Sequence, residues 1–393
     1  MAPSDQESLV QRTTSQEHAV AAELEFQSVY KVYPGADRPA LEDLSFKVPA
    51  GDICVLVGPS GCGKTTAMRL INRLIDLTSG EILLDGKSVR NRNPSDLRRQ
   101  IGYVIQHIGL FPHLSIGDNI ATVPRLLGWD RKRTQARVQE LLELISLPPE
   151  MKDRYPAEIS GGQRQRVGVA RALAADPPLM LMDEPFGAID PITRDRLQNE
   201  FLRLQHDLRK TIVFVTHDID EAIKMGDRIA ILREGGVLAQ YDTPERILAE
   251  PADEFVARFV GVDRGLKRLT LSKLSDLSLD RADRLPDGTA ARGSAEPHQV
   301  VFVDDRGRPV GRLGSDREPE PVGPVGNLET SLRDALSLIM SDGSRPLVVV
   351  DSDGAVAGLA KIEVIAGALA ASNGSSKAHE EGNGGAKAHE EAV

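Results

Sequence analysis

The segment GPSGCGKTT, residues 58–66, has the composition of a phosphate-binding loop. It follows the apolar run Ile53–Val57 and precedes a helical pattern that begins at Lys64. Glycines let backbone N–H groups converge on phosphate oxygens at a helix N-terminus, where the helix dipole favours anions. Lys64 is expected to reach the β- and γ-phosphates, and Thr65 to place its hydroxyl on Mg²⁺. The residues predicted to bind nucleotide here are Gly58, Pro59, Ser60, Gly61, Cys62, Gly63, Lys64, Thr65 and Thr66.

A pair of adjacent carboxylates, Asp183 and Glu184, follows the apolar run Leu179–Met182. Ligands of parallel sheets bind at the carboxyl ends of the strands, so we expect this pair beside the phosphate loop. Asp183 is suited to hold Mg²⁺ through water, and Glu184 to orient or deprotonate an attacking water. The alternative is a pair of solvated acids at a strand end, which the loop upstream disfavours. The two motifs together predict ATP hydrolysis rather than nucleotide sensing alone.

Two further polar side chains stand at or just beyond the ends of predicted strands. Gln106 ends the run Ile101–Gln106, and its neutral amide is suited to contact both Mg²⁺ and water. His217 follows the run Ile212–Val215 and is placed to hydrogen-bond the γ-phosphate. The predicted catalytic residues are Glu184, His217 and Gln106, and the predicted metal-site residues are Thr65, Gln106 and Asp183.

A second helix start with anion-binding character lies at ISGGQ, residues 159–163. A serine and two glycines precede a helical pattern, which offers a hydroxyl and backbone N–H groups to phosphate. Because a helical stretch separates this segment from the first loop, one chain does not easily close both on one nucleotide. We therefore predict a head-to-tail homodimer in which each chain completes the other's ATP site. The residues predicted to act in this way are Ser160, Gly161, Gly162 and Gln163.

The composition is that of a folded protein from a reducing compartment. Of 393 residues, 40% are hydrophobic and 27% charged, which excludes a largely disordered chain. The net charge of −10 argues against a nucleic-acid partner. The only cysteines are Cys54 and Cys62, which we do not expect to pair, and a thiol beside the phosphates is expected to react with maleimide unless ATP is bound. With no apolar run of about 18 residues and no signal-like start, we expect a soluble, cytoplasmic protein.

Strand-like and helix-like patterns alternate through residues 24–263. Apolar runs are followed by helical patterns such as Lys64–Leu74, which is typical of an α/β fold with a mostly parallel sheet. Residues from about 107 to 178 lack strand patterns, and Thr134–Ile145 has helical spacing, so we predict a helical insertion there. The predicted organisation is a disordered leader at 1–23, an ATPase domain at 24–263, a smaller α+β domain at 264–370 and a disordered tail at 371–393.

The smaller domain contains an internal repeat. VVFVDDRGRPVGRL, residues 300–313, aligns with LVVVDSDGAVAGLA, residues 347–360. Each copy reads as a buried strand, an Asp/Gly turn and a second strand, although two unrelated hairpins would produce a similar match. Ser331–Met340 reads as a helix before the second copy, whereas the matching stretch Arg284–His298 reads as a loop. The tail repeats KAHEE and reads as disordered, with metal binding by its two histidines as a weak alternative.

In this combination and order, the motifs resemble the nucleotide-binding subunit of ATP-binding-cassette (ABC) transporters, a P-loop NTPase fold. The resemblance covers about residues 24–263 and rests on GPSGCGKTT, Gln106, ISGGQ, LMLMDEP, GAID and His217. It implies that residues 160–163 form the signature loop, which acts across the dimer.

The resemblance also implies three roles that the residues alone do not give. Asp190, the last residue of GAID, would couple the two ATP sites of the dimer. Gln106 would link ATP to the membrane partner. Tyr33 would stack on the adenine, with the nearby Tyr30 as the alternative.

Longer stretches, MRLINRLIDLTSGEI, LRRQIGYVIQHIGLFPHLSI and FVTHDIDEAIKMGDRIAI, resemble the ATPases of osmoprotectant importers. This resemblance implies a peripheral subunit at the cytoplasmic face of the membrane, bound to a transmembrane permease and served indirectly by an extracytoplasmic solute-binding protein. The implied cargo is a quaternary amine such as glycine betaine, choline or carnitine. One alternative is an importer of another small solute, such as an amino acid or a sugar. Another alternative is a cassette ATPase of DNA repair or translation. The single uninterrupted cassette and the net negative charge disfavour it.

Members of that branch often carry paired regulatory modules of the cystathionine-β-synthase (CBS) type, which the repeat resembles in degenerate form. Lys361 and Glu363 stand near positions where such modules use a hydroxyl residue and an aspartate to hold a ribose. This departure leaves two expectations open for residues 264–370, namely nucleotide-dependent regulation and a packing or dimer-stabilising role.

Overall fold

A computed structural model describes residues 20–105, 109–187, 190–287 and 297–368. The predicted tail and most of the predicted leader lie outside these residues. Gln106 also lies outside them, as do Ala188 and Ile189 of the GAID segment.

The chain divides into two compact units. The first runs to Asp218 and includes Met225–Tyr241. The second combines Ile219–Lys224 with the chain from Asp242 onward. Among the described residues, no helix has both the length and the apolar character needed to cross a bilayer.

A six-stranded, mostly parallel sheet forms the centre of the first unit. The strands up to Asp242 are β1 (Leu24–Lys31), β2 (Leu41–Val48), β3 (Ile53–Val57), β4 (Ser79–Leu84), β5 (Lys87–Ser88), β6 (Ile101–Val104), β7 (Leu179–Asp183), β8 (Thr211–Val215), β9 (Arg228–Arg233) and β10 (Val237–Asp242). The order in the sheet is β10–β9–β3–β8–β7–β6, with β3, β6, β7, β8 and β9 parallel. Every residue of β3 and β8 is buried, as expected for central strands covered on both faces. The predicted parallel sheet is confirmed.

A second sheet in the first unit is antiparallel and was not expected from the sequence. It has the order β2–β1–β4–β5. In β2, buried Leu41, Leu44, Phe46 and Val48 are separated by exposed residues, so the strand buries one face. Phe26 of β1 stacks on Phe46 with ring centroids 4.6 Å apart, which fixes the pairing of these two strands.

Helices account for the regular structure between β6 and β7. The helices are α1 (Lys64–Ile71), α2 (Pro94–Arg99), α3 (Ile116–Leu126), α4 (Arg131–Leu144), α5 (Gly161–Leu173), α6 (Pro191–Leu208), α7 (Ile219–Met225), α8 (Pro244–Ala249), α9 (Glu254–Val260), α10 (Arg264–Leu271) and α11 (Leu332–Ser341). The described part of the segment from β6 to β7 contains α3, α4, α5 and short 3₁₀ turns, and no strand. This segment corresponds to the predicted helical insertion.

Among the described residues, the second unit contains two small sheets that share a three-strand arrangement. Its strands are β11 (Asp283–Pro286), β12 (Val300–Val303), β13 (Pro309–Leu313), β14 (Pro319–Glu320), β15 (Val325–Asn327), β16 (Leu347–Val350) and β17 (Val356–Ala360). They form a four-stranded sheet, β11–β12–β13–β14, and a three-stranded sheet, β15–β16–β17. In one sheet, β12 pairs in parallel with β11 and antiparallel with β13. In the other, β16 pairs in parallel with β15 and antiparallel with β17. The repeated sequence therefore folds as a repeated hairpin, each with an added parallel strand, and β11 occupies part of a stretch that reads as a loop.

The repeated Asp/Gly turns have the same hydrogen bonds in both copies. Asp304 Oδ1 accepts from the backbone N–H groups of Arg306 and Arg308 at 2.9 and 2.8 Å. Asp351 Oδ1 accepts from those of Asp353 and Ala355 at 2.9 and 3.0 Å. These Asx-type bonds satisfy the donors that a tight reversal leaves unpaired.

The contact between the two turns is one-sided. Val356 N–H donates to Gly307 O at 2.9 Å. The residue that aligns with Val356 in the first copy is Pro309, which has no N–H, so the reciprocal bond cannot form. The two copies therefore pack with only approximate symmetry.

Candidate active site

The phosphate loop lies between β3 and α1, as predicted, and its glycines are required by close packing. A Cβ on Gly58 would collide with the carbonyl oxygen of Leu232, and one on Gly63 with that of Ala40. Gly63 also has a φ of +97°, which L residues rarely adopt. The loop therefore cannot take this path with side chains at those two positions.

Lys64 is folded into the loop. Its Nζ donates to the carbonyl oxygens of Gly58 and Pro59 at 2.8 and 3.0 Å, and the residue is 7% exposed. These carbonyls hold the ammonium group at the base of the loop, where phosphate oxygens can replace them as acceptors.

Thr65, Arg69 and Lys64 all influence the carboxylate of Asp183 at the end of β7. Hydrogen bonding by the Thr65 side chain lowers the pKa of Asp183. Burial raises the pKa of Asp183, and the neighbouring Glu184 charge raises it further, while the positive charges of Arg69 and Lys64 oppose the shift. Sequence analysis missed Arg69, although its spacing of four residues from Thr65 places both on one face of α1.

Glu184 and His217 form a second contact at the same edge of the sheet. His217 Nδ1 lies 3.3 Å from Glu184 Oε1. Glu184 has a φ of +45°, a left-handed backbone that costs a non-glycine residue about 1 kcal/mol or more. Its N–H donates to Val215 O at 2.9 Å, and its carbonyl accepts from Gly187 N–H at 3.2 Å. A bond to β8 and a bond within the turn after β7 thus hold the Glu184 backbone in this strained conformation.

The ISGGQ segment forms a capped helix start. Ser160 Oγ accepts from Gln163 N–H at 3.2 Å, and Gln163 Oε1 accepts from Ser160 N–H at 2.9 Å. This capping box orders the N-terminus of α5. Ser160 and Gly161 are exposed and Gly162 is half-exposed, so this helix start is open to solvent.

Asp190 caps α6 in a similar way. Its Oδ1 accepts from Thr193 N–H at 3.0 Å. Hydrogen bonds from the backbone and side chain of Thr193 hold the pKa of Asp190 below its ordinary value. An ionised carboxylate is therefore fixed at the start of this helix.

Tyr33 is exposed beside the phosphate loop, whereas Tyr30 lies within β1. The Tyr33 hydroxyl is 3.4 Å from Thr66 Oγ1. Tyr30 pairs with Ser79 in the antiparallel sheet. Of the two tyrosines, the structure places Tyr33 against the loop. Gln106 lies outside the described residues.

Comparisons with known proteins identify the family. A family model described as ABC transporter matches residues 41–187. The osmoprotectant import ATP-binding protein OsmV of Salmonella typhimurium is 45% identical over 343 residues, which cover 81% of this chain and 88% of the relative. The chain belongs to the ABC transporter family of ATP-binding proteins, and it is an ATPase.

Other similar proteins agree with an ABC cassette. The glycine betaine/carnitine/choline transport ATP-binding protein OpuCA of Bacillus subtilis is 51% identical over 273 residues, which cover 70% of each chain. A solved dimeric ATP-binding cassette, in a post-hydrolysis state with ADP and phosphate, matches with a TM-score of 0.50 and 31% identity, over 56% of this chain and 98% of that chain. The predicted cassette fold, ATP binding and ATPase activity are confirmed.

In this ABC cassette, Cys62 does not have the surroundings of a reactive thiol. The residue is 1% exposed, and burial raises the pKa of its thiol, with Lys64 opposing the shift. A protonated, shielded thiol reacts slowly, so burial argues against the predicted maleimide sensitivity. Cys54 is also buried, and neither cysteine is in a disulfide.

Proposed function

We propose that this ABC ATPase energises the import of a quaternary-amine osmoprotectant through a separate membrane permease. The names of OsmV and OpuCA support this cargo class. We place the protein at the cytoplasmic face of the membrane as a peripheral subunit, with an extracytoplasmic solute-binding protein acting indirectly. An importer of another small solute, such as an amino acid or a sugar, is the alternative.

The convergence of Thr65, Asp183, Glu184 and His217 carries the catalytic part of the proposal. Residues from three separate segments, namely the start of α1, the end of β7 and the turn after β8, come together beside the phosphate loop. This is the edge at which parallel sheets bind ligands. The contact between His217 and Glu184, and the influence of Thr65 on the pKa of Asp183, support this grouping of the proposed catalytic residues.

The oxygen atoms of Thr65 and Asp183 fit a magnesium ion. The Thr65 side chain is near enough to the Asp183 carboxylate to lower its pKa, and hard cations prefer such oxygen ligands. When bound, Mg²⁺ supplies positive charge that neutralises phosphate oxygens. Asp183 would hold it through water and Thr65 directly, with Gln106 as the third proposed contact.

Glu184 is proposed to orient or deprotonate the attacking water. Its backbone is fixed by bonds to Val215 and Gly187, so the carboxylate does not need to be ordered when ATP binds. With His217 Nδ1 directed at Glu184, Nε2 is the ring atom left to face a γ-phosphate oxygen, to which it donates in the doubly protonated imidazolium form. Tyr33 is proposed to stack on the adenine, and its exposed position beside Thr66 supports this role over Tyr30.

We propose that ATP closes a head-to-tail homodimer. Ser160–Gln163 of one protomer would cover the γ-phosphate held by Gly58–Thr66 of its partner, and Asp190 would couple the two sites. The capped start of α5 supports this arrangement because Ser160 and Gly161 are exposed at a helix N-terminus.

We propose that residues 264–370 form a CBS-like regulatory or dimer-stabilising domain. The repeated hairpins with an added parallel strand support the modular interpretation. Lys361 Nζ lies 2.9 Å from Asp280 Oδ2, so this side chain takes part in an internal ion pair. That contact favours a packing role at this position over contact with a ribose.

The substitution Glu184→Gln tests the catalytic assignment. The amide keeps the volume of the side chain but removes the base, so we expect ATP binding to persist and turnover to fall by at least about 100-fold. The variant should remain an ATP-bound dimer in size-exclusion chromatography with light scattering. Glu150→Gln, at an exposed 3₁₀ turn, is the matched control and should keep wild-type turnover. Wild-type turnover in Glu184→Gln would remove Glu184 from this role.

Uptake measurements test the cargo. With the permease and binding protein co-expressed, we expect radiolabelled glycine betaine, choline or carnitine to accumulate in cells that carry the wild-type ATPase, and not in cells that carry Glu184→Gln. Maltose and glutamine serve as competing cargo classes. Accumulation of either, without any quaternary amine, would refute the proposed cargo and leave the ATPase assignment intact.

A further inference from the structure

The hairpin formed by α3 and α4 ends in an exposed apolar turn. Helix α3 ends at Leu126 and α4 begins at Arg131, and both helices belong to the first unit. Leu126 is 67% exposed, Leu127 is 38% exposed, and Trp129 is half-exposed. Clustered exposed apolar side chains mark an interaction surface, whereas single ones do not. We call residues 126–133 the hairpin tip.

The turn has a defined conformation. Trp129 N–H donates to Pro124 O at 3.0 Å, and Asp130 Oδ1 accepts from Arg133 N–H at 2.9 Å to cap α4. The Arg133 guanidinium lies 3.7 Å from the centre of the Trp129 ring, in a cation–π contact. The apolar side chains are therefore presented on an ordered turn, beside a positive charge.

A cluster of positive charge follows the apolar side chains. Arg131, Lys132 and Arg133 are consecutive and exposed in the first turn of α4, and this described turn contains no acidic residue. Cations are disfavoured at a helix start, because the helix dipole already places positive charge there. When the charge of Asp130 is subtracted, the tip still carries excess positive charge, although the whole chain has a net charge of −10. The tip keeps this cluster against the local helix preference, which indicates a role other than stability.

An anionic lipid surface matches both parts of the tip. Basic residues beside a membrane are attracted to acidic headgroups, and exposed leucine side chains can enter the boundary between headgroups and acyl chains. Tryptophan is enriched at that boundary because its ring is apolar and its N–H is polar. Nucleic acid would satisfy the charges and leave the leucines exposed.

Two protein partners fit the charge less well. A second copy of this chain, packed through the same patch about a twofold axis, would bring like charges together. Cytoplasmic loops of membrane proteins carry an excess of lysine and arginine, so such a loop of a permease would also meet the tip with like charge.

We propose that the hairpin tip binds the surface of membranes that contain anionic lipids. Leu126, Leu127 and Trp129 would enter the headgroup region, and residues 131–133 would contact lipid phosphates. This contact is additional to the proposed permease contact, and it depends neither on the cargo nor on ATP hydrolysis.

Vesicle binding by the full chain, without permease or nucleotide, tests the proposal. Trp129 is the single tryptophan and lies in the tip, so its emission should shift to shorter wavelength when the tip enters a lipid interface. We expect a saturable shift and co-sedimentation with vesicles of equal parts phosphatidylglycerol and phosphatidylcholine. Binding to phosphatidylcholine alone should be at least about 25-fold weaker, since each basic residue contributes about fivefold. Raising the ionic strength from about 0.1 M to about 1 M shortens the Debye length from about 10 Å to about 3 Å, and should weaken binding at least about tenfold.

Three outcomes of the vesicle experiment would overturn the proposal. They are absence of binding to the anionic vesicles, equal binding to the neutral vesicles, and co-sedimentation without a shift in Trp129 emission. Attachment that appears only when a permease is reconstituted belongs to the first outcome, and would mean that a protein partner alone holds the ATPase at the membrane.

Charge reversal separates the tip from the overall charge of the chain. Arg131→Glu combined with Lys132→Glu should weaken binding at least about 25-fold. This variant should be at least as resistant to thermal unfolding as the wild type, because acidic residues are favoured at a helix start. Lys87→Glu combined with Arg90→Glu changes the net charge by the same amount at exposed positions elsewhere in the first unit, and should bind within about twofold of the wild type. Equal losses in the two double variants would refute the assignment to the tip.

A serine substitution tests the apolar part. Leu126→Ser should weaken binding to the anionic vesicles about tenfold, whereas Leu74→Ser, at a leucine that is 50% exposed, should not weaken it. Unchanged binding in Leu126→Ser would remove the apolar contact from the proposal. Self-association that this substitution abolishes, seen by light scattering without vesicles, would assign the patch to a second copy of the chain and overturn the proposal.

Discussion

At the scale of single residues, the surroundings of Asp183 explain why this proposed metal-site residue is destabilising without a cation. The carboxylate is buried next to Glu184, and both effects raise its pKa. Without nucleotide, the ionised carboxylate therefore lowers the stability of the folded protein. The Thr65 hydroxyl and the charges of Arg69 and Lys64 partly offset this loss. A bound cation would remove that loss. The charge that lowers the stability of the protein is therefore the same charge that is proposed to bind the cation.

Because the charge of Asp183 is destabilising, we expect Asp183→Asn to stabilise the nucleotide-free protein. A carboxyl group whose pKa is raised on folding favours the folded state fully below its unfolded pKa and loses that contribution as pH rises through the folded pKa. At pH 7 the asparagine variant, which avoids the charge, should have the higher free energy of unfolding. The difference should vanish below the ordinary value of 3.8.

Urea unfolding followed by the fluorescence of Trp129, the single tryptophan, measures this effect in the first unit. Asp76→Asn is the matched control, because that side chain is 86% exposed. It should leave the unfolding midpoint unchanged. A less stable Asp183→Asn at pH 7 would contradict the electrostatic account.

At the scale of elements, we propose that the helix starts of this cassette serve two purposes, capping and phosphate binding. Ser160 caps α5 and Ser115 caps α3, each by accepting one backbone N–H, at 3.2 and 3.1 Å. The physical role of the two caps in stability is the same. Only the start of α5 has the adjacent glycines that admit a phosphate.

Alanine substitution separates the two purposes. Ser160→Ala and Ser115→Ala should each lower the free energy of unfolding by about 1 kcal/mol, measured by Trp129 fluorescence in urea. Only Ser160→Ala should also reduce ATP turnover and ATP-dependent dimerisation. An equal loss of turnover in Ser115→Ala would mean that helix capping alone explains the effect of Ser160.

Elements with strong local signals could be predicted from the sequence, and elements that depend on distant partners could not. Ile53–Val57 is a strand with the predicted bounds because a continuous apolar run before a glycine loop has few other solutions. β1 was missed because register shifts after Phe26 interrupt its alternation. β11 was missed because its charged, proline-ending sequence forms a strand only by pairing with β12.

The site residues also divide into those that local sequence predicts and those that depend on distant partners. The phosphate loop and the acidic pair are contiguous in sequence, so their chemistry could be read directly. Arg69 could not be assigned because its influence on Asp183 depends on how α1 packs beside β7. The His217–Glu184 contact joins residues 33 positions apart, and only the parallel pairing of β7 with β8 brings them together.

At the scale of the whole molecule, the proposed ATP site requires two chains, and mixed dimers can show this. In the Glu184→Gln background, one chain would carry Lys64→Ala and the other Ser160→Arg. If each site combines the loop of one chain with the ISGGQ segment of the other, this pair retains one intact site. A chain with both substitutions, paired with the Glu184→Gln parent, retains none.

Counting trapped ATP per purified mixed dimer distinguishes the arrangements. Two differently tagged chains allow the mixed species to be isolated, and the parent homodimer provides the reference for full occupancy. We expect about half of that occupancy in the first pair and almost none in the second, because only a complete site prevents ATP from leaving. If each chain instead closed its own nucleotide, the second pair would keep one site and the first would keep none. That reversed pattern would exclude head-to-tail sites and with them the proposed coupling of ATP binding to dimer closure.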